Sequence, residues 1–233
     1  GAMLVTERPG RLRLIHGEEM SAPIEGLPEI YSRGQGGLLD VVLHPRFAEN
    51  NLIYFSYSEA GEGGAGTAVA RGRLVRDGDA ARLENVEVIF RQVPKVSGNG
   101  HFGSRLVFAP DGRLFVTLGE RQKFDPAQDL KQNLGKIVRI EDDGRIPSDN
   151  PFVGRDDARP EIWSYGHRNP QSAAMHPDTG ALWTVEHGAR GGDEINVPEA
   201  GKNYGWPVIS YGVNYNGSKI GVGTEAEGME QPL

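Results

Sequence analysis

The sequence predicts an all-β fold, and three observations carry that prediction. Of its 233 residues 33 are glycine and 15 proline, a balance that suits short strands joined by tight turns. Stretches such as Arg11-Leu12-Arg13-Leu14-Ile15 alternate polar and apolar residues with period two. One pattern also recurs along the chain: an apolar strand, a His-Pro or Ala-Pro step, a turn and a second apolar strand. Its copies are residues 39–45 with 52–57, 105–110 with 114–118, and 172–177 with 182–185.

Pro45, Pro110 and Pro177 lie 65 and 67 residues apart, a period that fits one four-stranded β-propeller blade with a long loop. Hairpins of a sandwich would give the same strand-turn-strand pattern, so both architectures stand at this point. If the repeat is a blade, the chain holds about three and a half units, fewer than the four to eight of a closed propeller. The expectation is one domain over residues 1–233, an incomplete propeller whose open edges favour self-association.

Taken in order, residues 3–6 and 11–15 read as strands around an Arg8-Pro9-Gly10 turn. Residues 38–43 and 52–57 form the first full repeat, and the Gly-rich stretch 59–66 reads as a mobile hairpin tip. Residues 105–108 and 114–118 form the second. Only 127–135 has a helical pattern, with Leu130 and Leu134 four apart and Gly135 as a stop signal. A strand resumes over 136–140, turns follow at 142–144 and 147–151, and the third repeat closes with 172–175 and 182–185.

Bulk chemistry excludes several partners. The net charge is −7 and no Lys/Arg cluster is present, which argues against nucleic acid and against an anionic membrane surface. No apolar run approaches the ~20 residues that insert into a bilayer. With no cysteine there is no disulfide, thiolate ligand or cysteine nucleophile.

The chemistry gathers in residues 163–206, which hold three His, two Arg, paired acids and two Gly-rich turns. Gln35, His101 and the stretch Gly166-His167-Arg168-Asn169-Pro170-Gln171 each stand in a polar turn just before the first strand of a repeat. Equivalent blade loops converge on a propeller axis, so these side chains would share a central site; the plainer reading is that polar residues simply end strands. The glycines of G-N-G-H-F-G (98–103) precede a strand instead of opening a helix, so a dinucleotide site is rejected. The Gly-rich acidic stretch 187–194 offers carbonyls and carboxylates, the donors Ca²⁺ takes, and lacks a zinc pattern.

Together, G-Q-G-G-L-L-D-V-V-L-H-P, G-N-G-H-F-G-S-R-L-V-F, Y-G-H-R-N-P-Q, E-H-G-A-R-G-G-D-E-I-N and K-N-Y-G-W resemble the soluble aldose (glucose/sorbosone-type) dehydrogenases. Those enzymes use pyrroloquinoline quinone (PQQ) and Ca²⁺, and the resemblance spans essentially the whole chain. It implies a six-bladed β-propeller, with roughly the first four blades present here, a periplasmic or secreted location, an aldose substrate oxidised at C1 to a lactone, and an external electron acceptor. It implies His101 as the general base and Arg168 as a second catalytic residue. Arg168, Asn169 and Gln35 would line the cofactor, and the Gly188 and Ala189 carbonyls would hold its Ca²⁺. Glu194 and Tyr204 match ligands of a second, structural Ca²⁺, with Asp193 adjacent. Gly100 stands where a glucose-oxidising relative has an acid against the sugar, Ala189 stands where proline is usual, and the family's basic residues that grip the cofactor's carboxylates come from later blades. Two other functions share parts of this pattern: a non-catalytic propeller binding module, and a Ca²⁺-dependent lactonase.

Overall fold

The computed structural model describes residues 1–78 and 80–233. They divide into two compact units, one of Gly1–Arg91 with Lys95–Gly100, the other of Gln92–Pro94 with His101–Leu233. Both are built from antiparallel sheets whose strands follow chain order.

In the first unit β1 (Ala2–Glu7), β2 (Arg11–His16) and β3 (Glu19–Met20) make a three-stranded sheet. β4 (Leu38–Leu43), β5 (Leu52–Gly61), β6 (Gly64–Asp77) and β7 (Ala80–Arg91) make a four-stranded one, with the single-turn helix α1 (Phe47–Asn50) between β4 and β5. The apolar run of β5 is covered on both faces, with Ile53, Tyr54, Phe55 and Tyr57 all buried. Its Ile53, Phe55 and Tyr57 join Leu12, Leu38 and Leu74 in one core, where each full burial stabilises by roughly 1.5–3 kcal/mol.

The second unit carries β8 (Leu106–Phe108), β9 (Leu114–Thr117), β10 (Lys136–Ile140) and β11 (Ile162–Tyr165) as a four-stranded sheet. β12 (Pro170–Met175), β13 (Leu182–Glu186) and β14 (Glu194–Asn196) form a three-stranded sheet. Phe115, Ile137 and Leu182 pack together with Trp163 and Met175 to seal the two sheets. β13 buries Leu182, Thr184 and Glu186 and exposes Trp183 and Val185, so period two aims a carboxylate inward from this strand. The all-β class of the propeller family therefore holds, with sheets in the form of three- and four-stranded blades.

Two expectations are corrected. No helix forms over 127–135: a 3-10 turn spans Asp125–Gln128 and turns follow. The buried Lys136 ammonium donates to the carbonyls of Pro126 (2.9 Å), Ala127 (3.0 Å) and Leu134 (2.7 Å). Asp129 takes the Lys131 N–H (2.9 Å) and the Gln132 amide (2.6 Å), so side chains capture backbone groups a helix would need. The Gly-rich stretch 59–66 is not a loose tip either, since β5 and β6 pair all the way to Gly61 and Gly64.

Candidate active site

In the second unit three turns before and after inner strands come together. The turn ahead of β8 holds His101 at φ 52° and Ser104 at φ 93°, and Arg121, Gln122 and Phe124 after β9 also have positive φ. Non-glycine residues in this region cost of order 1–3 kcal/mol each, and hydrogen bonds hold these in place. Ser104 N donates to Thr117 O (2.6 Å) and Arg121 N to His101 O (3.3 Å). Gly119 has to be glycine, because a Cβ there would strike His101 O and Asn169 Oδ1.

His101 is buried to 7% exposure, and its Nδ1 meets Glu120 Oε1 in a short hydrogen bond. The other Glu120 oxygen accepts the N–H groups of Lys123 and Phe124 (2.7 Å to the latter), which fixes the carboxylate. A carboxylate on Nδ1 assigns the ring proton to that nitrogen and leaves Nε2 as the basic one. Asn169 Oδ1 accepts from Gly103 N (3.0 Å), and Glu120 N donates to Arg168 O (2.9 Å). His101, Arg168 and Asn169, separated in sequence, thus share one network.

Arg168 links this network to the 187–194 turn. Its backbone N–H donates to Glu186 Oε2 (2.6 Å), and its guanidinium donates to the carbonyls of His187 (2.8 Å) and Gly188 (2.5 Å). The guanidinium lies 5.2 Å from the Trp206 ring centroid, and the buried Arg168 Nε and Trp206 Nε1 have no hydrogen-bond partner. Two orphaned donors on a cation and an aromatic ring fit a planar, anionic, oxygen-rich group such as PQQ.

Below them a cavity of about 10 Å³, room for one water-sized occupant, is lined by Arg168, Glu186, Gly188, Glu194 and Tyr204 among others. Burial, and then the charge of Glu186, push the Glu194 carboxyl up to about 7, while the Asn196 amide pulls it the other way. Asn196 Nδ2 reaches Glu186 (3.1 Å) and Glu194 (3.2 Å), and its buried Oδ1 has no partner. The Glu186 and Glu194 carboxylates on the wall of a one-site cavity suit a cation such as Ca²⁺. The Tyr204 phenol, raised to about 12 by burial, is committed to Val197 O (2.7 Å) and Glu199 N (3.0 Å), so its carbonyl is the oxygen it can offer a metal. Gly188 offers a carbonyl that already accepts from Arg168, and Ala189 packs against Ala127, Trp206 and Ile220. Among the described residues no three His, Cys, Asp or Glu side chains gather as a metal cluster, so carbonyls and an amide would have to complete any shell. Gln35 belongs to the first unit, where it is exposed and its N–H donates to Asn99 O (2.7 Å).

Sequence reasoning missed Glu120, Glu186 and Asn196. One signal was present: Glu120 follows His101 by nineteen residues, and Glu186 follows His167 by the same number.

The Glucose / Sorbosone dehydrogenase family profile matches residues 1–233. The chain belongs to this family. It is 53% identical to the aldose sugar dehydrogenase YliI of Escherichia coli (strain K12) over 99% of its own length and 63% of that protein's. It therefore spans less than two thirds of that relative. The apo crystal structure of the soluble E. coli aldose sugar dehydrogenase superposes with a TM-score of 0.95 at 52% identity, covering 98% of this chain and 67% of that one. The PQQ-bound aldose sugar dehydrogenase of Streptomyces coelicolor superposes at 0.81 with 28% identity, covering all of this chain and 64% of that one. The family thus includes a member seen with PQQ bound.

Proposed function

We propose that this chain carries the base, cofactor and cation residues of a PQQ- and Ca²⁺-dependent aldose dehydrogenase of the periplasm or cell exterior. The observation behind the reading is the buried His101–Glu120 pair, tied through Asn169 and Arg168 to the 187–194 turn. PQQ, when bound, supplies the two-electron acceptor for the sugar C1 hydride, and its Ca²⁺ polarises it as a Lewis acid.

The chain's own residues do the rest. His101 accepts the C1 hydroxyl proton at Nε2, with Glu120 fixing the ring and stabilising the imidazolium that forms; such a base contributes about 10²- to 10⁴-fold. Arg168 presents its orphaned Nε and Asn169 its amide to the cofactor's oxygens, where a fixed cation offsets developing negative charge. The Gly188 and Ala189 carbonyls would hold the cofactor's Ca²⁺, and Glu194 with the Tyr204 carbonyl would hold a second, structural Ca²⁺.

The test is dye reduction by the protein with PQQ, Ca²⁺ and a panel of aldoses, beside His101→Ala. Turnover that needs both cofactors and falls at least a hundredfold in the variant supports the reading. Turnover unchanged in His101→Ala overturns the base assignment.

A further inference from the structure

The Gly-rich hairpin end at residues 59–66 builds a second feature, separate from the proposed oxidation. In the first unit a cavity of about 660 Å³ opens, within the size range of small-ligand sites. Tyr31, Arg33, Glu59, Ala60, Arg91 and Lys95 form its polar wall. Residues 95–97 cross the hairpin so closely that a Cβ on Gly61 would strike the Lys95 side chain, and one on Gly64 the Val96 carbonyl. Backbone bonds in both directions between Ala65 and Val96 (3.0 and 3.1 Å) fix the crossing.

That crossing sets Lys95 and Arg91 around one carboxylate. Lys95 Nζ donates to Glu59 Oε2 (2.5 Å) and to Ala60 O (2.8 Å), and Arg91 Nε reaches both Glu59 oxygens (3.2 and 2.9 Å). The Lys95 and Glu59 side chains are only 17% and 18% exposed, so the arrangement is rigid. Two cations share one acid, and the wall keeps a positive charge. Arg33 adds another: among the described residues its guanidinium has no carboxylate partner and lies over the Tyr31 ring at 5.5 Å. Glu59 and Glu29 are the acids among the lining residues, against Arg33, Arg91 and Lys95, so the cations remain in excess by one.

We propose that this cavity binds a small polyhydroxylated acid, a carboxylate or phosphate monoester carried on a sugar-sized body. The acid group meets Arg33 and the Arg91–Lys95 pair, hydroxyls bond to Glu59 and the Ala60 carbonyl region, and the carbon face rests on Tyr31. Guanidinium groups match carboxylate and phosphate oxygens in pairs, and the Lys95 ammonium, already held by Glu59 and Ala60, loses little freedom on binding.

The experiment is calorimetric titration of the full chain, without added PQQ, using glucuronate, glucose 6-phosphate, glucose and inorganic phosphate. Saturable binding of at least one acidic sugar, weakened about tenfold by Arg33→Ala and by raised salt, is expected. The glucuronate and glucose 6-phosphate arms say which acid group is taken. Arg33 is exposed, so the variant should keep its melting temperature. Failure of both acidic sugars to bind, equal affinity in Arg33→Ala, or equal affinity for glucose or inorganic phosphate would overturn the proposal. No turnover is measured, so the outcome stands apart from that of the dehydrogenase reading.

Discussion

His101 and His167 occupy corresponding turns one repeat apart, and each gives its Nδ1 to a glutamate nineteen residues on. Their surroundings differ. His167 is fully buried, its Nε2 is joined to Ser164 Oγ (2.9 Å), and its ring is stacked on Tyr204 at 4.9 Å. Both nitrogens and one face are committed, so this histidine ties β11, β13 and the 199–204 turn together. His101 keeps 7% exposure and a left-handed backbone at φ 52°, in a turn with Gly100 and Gly103 on either side. A His–Glu pair is therefore not in itself a catalytic signature. We propose His101 as the base and His167 as a strut, since both His167 nitrogens and one ring face are bound within the fold.

The sharpest way to break this comparison is to exchange asparagine for each histidine. His101→Asn should lower kcat by about 10²- to 10⁴-fold, beyond any loss of stability from removing the buried partner of Glu120. His167→Asn should retain turnover and lose about 1–3 kcal/mol of stability, because Glu186 and Ser164 lose a buried partner. Equal kinetic losses from both would erase the distinction.

A second effect concerns Glu186, which serves His167 and also crowds Glu194. If a cation occupies the cavity beside them, Ca²⁺ at a hundred times its dissociation constant should stabilise the protein by about 2.7 kcal/mol. Glu194→Gln should abolish that gain in a calorimetric melt and leave the His101–Glu120 pair intact.

Smaller is the effect expected of Glu120→Gln, which keeps the shape and removes the charge that stabilises the His101 imidazolium. A kcat loss of about ten- to a hundredfold is expected, with the pH–rate profile displaced and KM little changed. Activity restored by Glu120→Asp would mark a positioning role.

Smallest per pH unit is a slope from Lys136, which supports the His167 turn: Ala127 O accepts both its ammonium and Gly166 N (3.0 Å), and Gly135 O accepts His167 N (3.1 Å). Burial pushes Lys136 down to about 7, with Asp129 acting the other way. Its folded pKa lies below the unfolded value of ~10.4, so between these values the unfolded chain binds more protons and stability rises with pH. The contribution reaches about 1.4 kcal/mol per pH unit within that window, and Lys136→Met should flatten it in denaturant titrations.

Much of the fold was legible because period two and turn chemistry are local. The strand expected over 136–140 is β10 to the residue, and 38–43 is β4. The helix expected over 127–135 failed because a buried ammonium from the next strand takes the carbonyls of Pro126, Ala127 and Leu134, a tertiary fact no local pattern contains. In the candidate site, glycine-rich turns point to His101 and to the stretches 166–171 and 187–194, the family resemblance narrows these to Arg168, Asn169 and Gly188, and the structure joins them. Glu120 and Glu186 could not, since an acid at a strand's end is the ordinary way for a strand to meet solvent. Only their shared spacing from a histidine sets them apart.

The measurement that tests the central claim most directly is aldose-dependent dye reduction with PQQ and Ca²⁺, read together with thermal melts, for the unaltered chain, His101→Asn and His167→Asn. The account predicts turnover that requires both cofactors, is lost in folded His101→Asn, and survives in His167→Asn even where that variant is the less stable of the two. Cofactor-dependent turnover that survives in His101→Asn, or a Ca²⁺-stabilised protein that reduces no dye with any aldose, would contradict it.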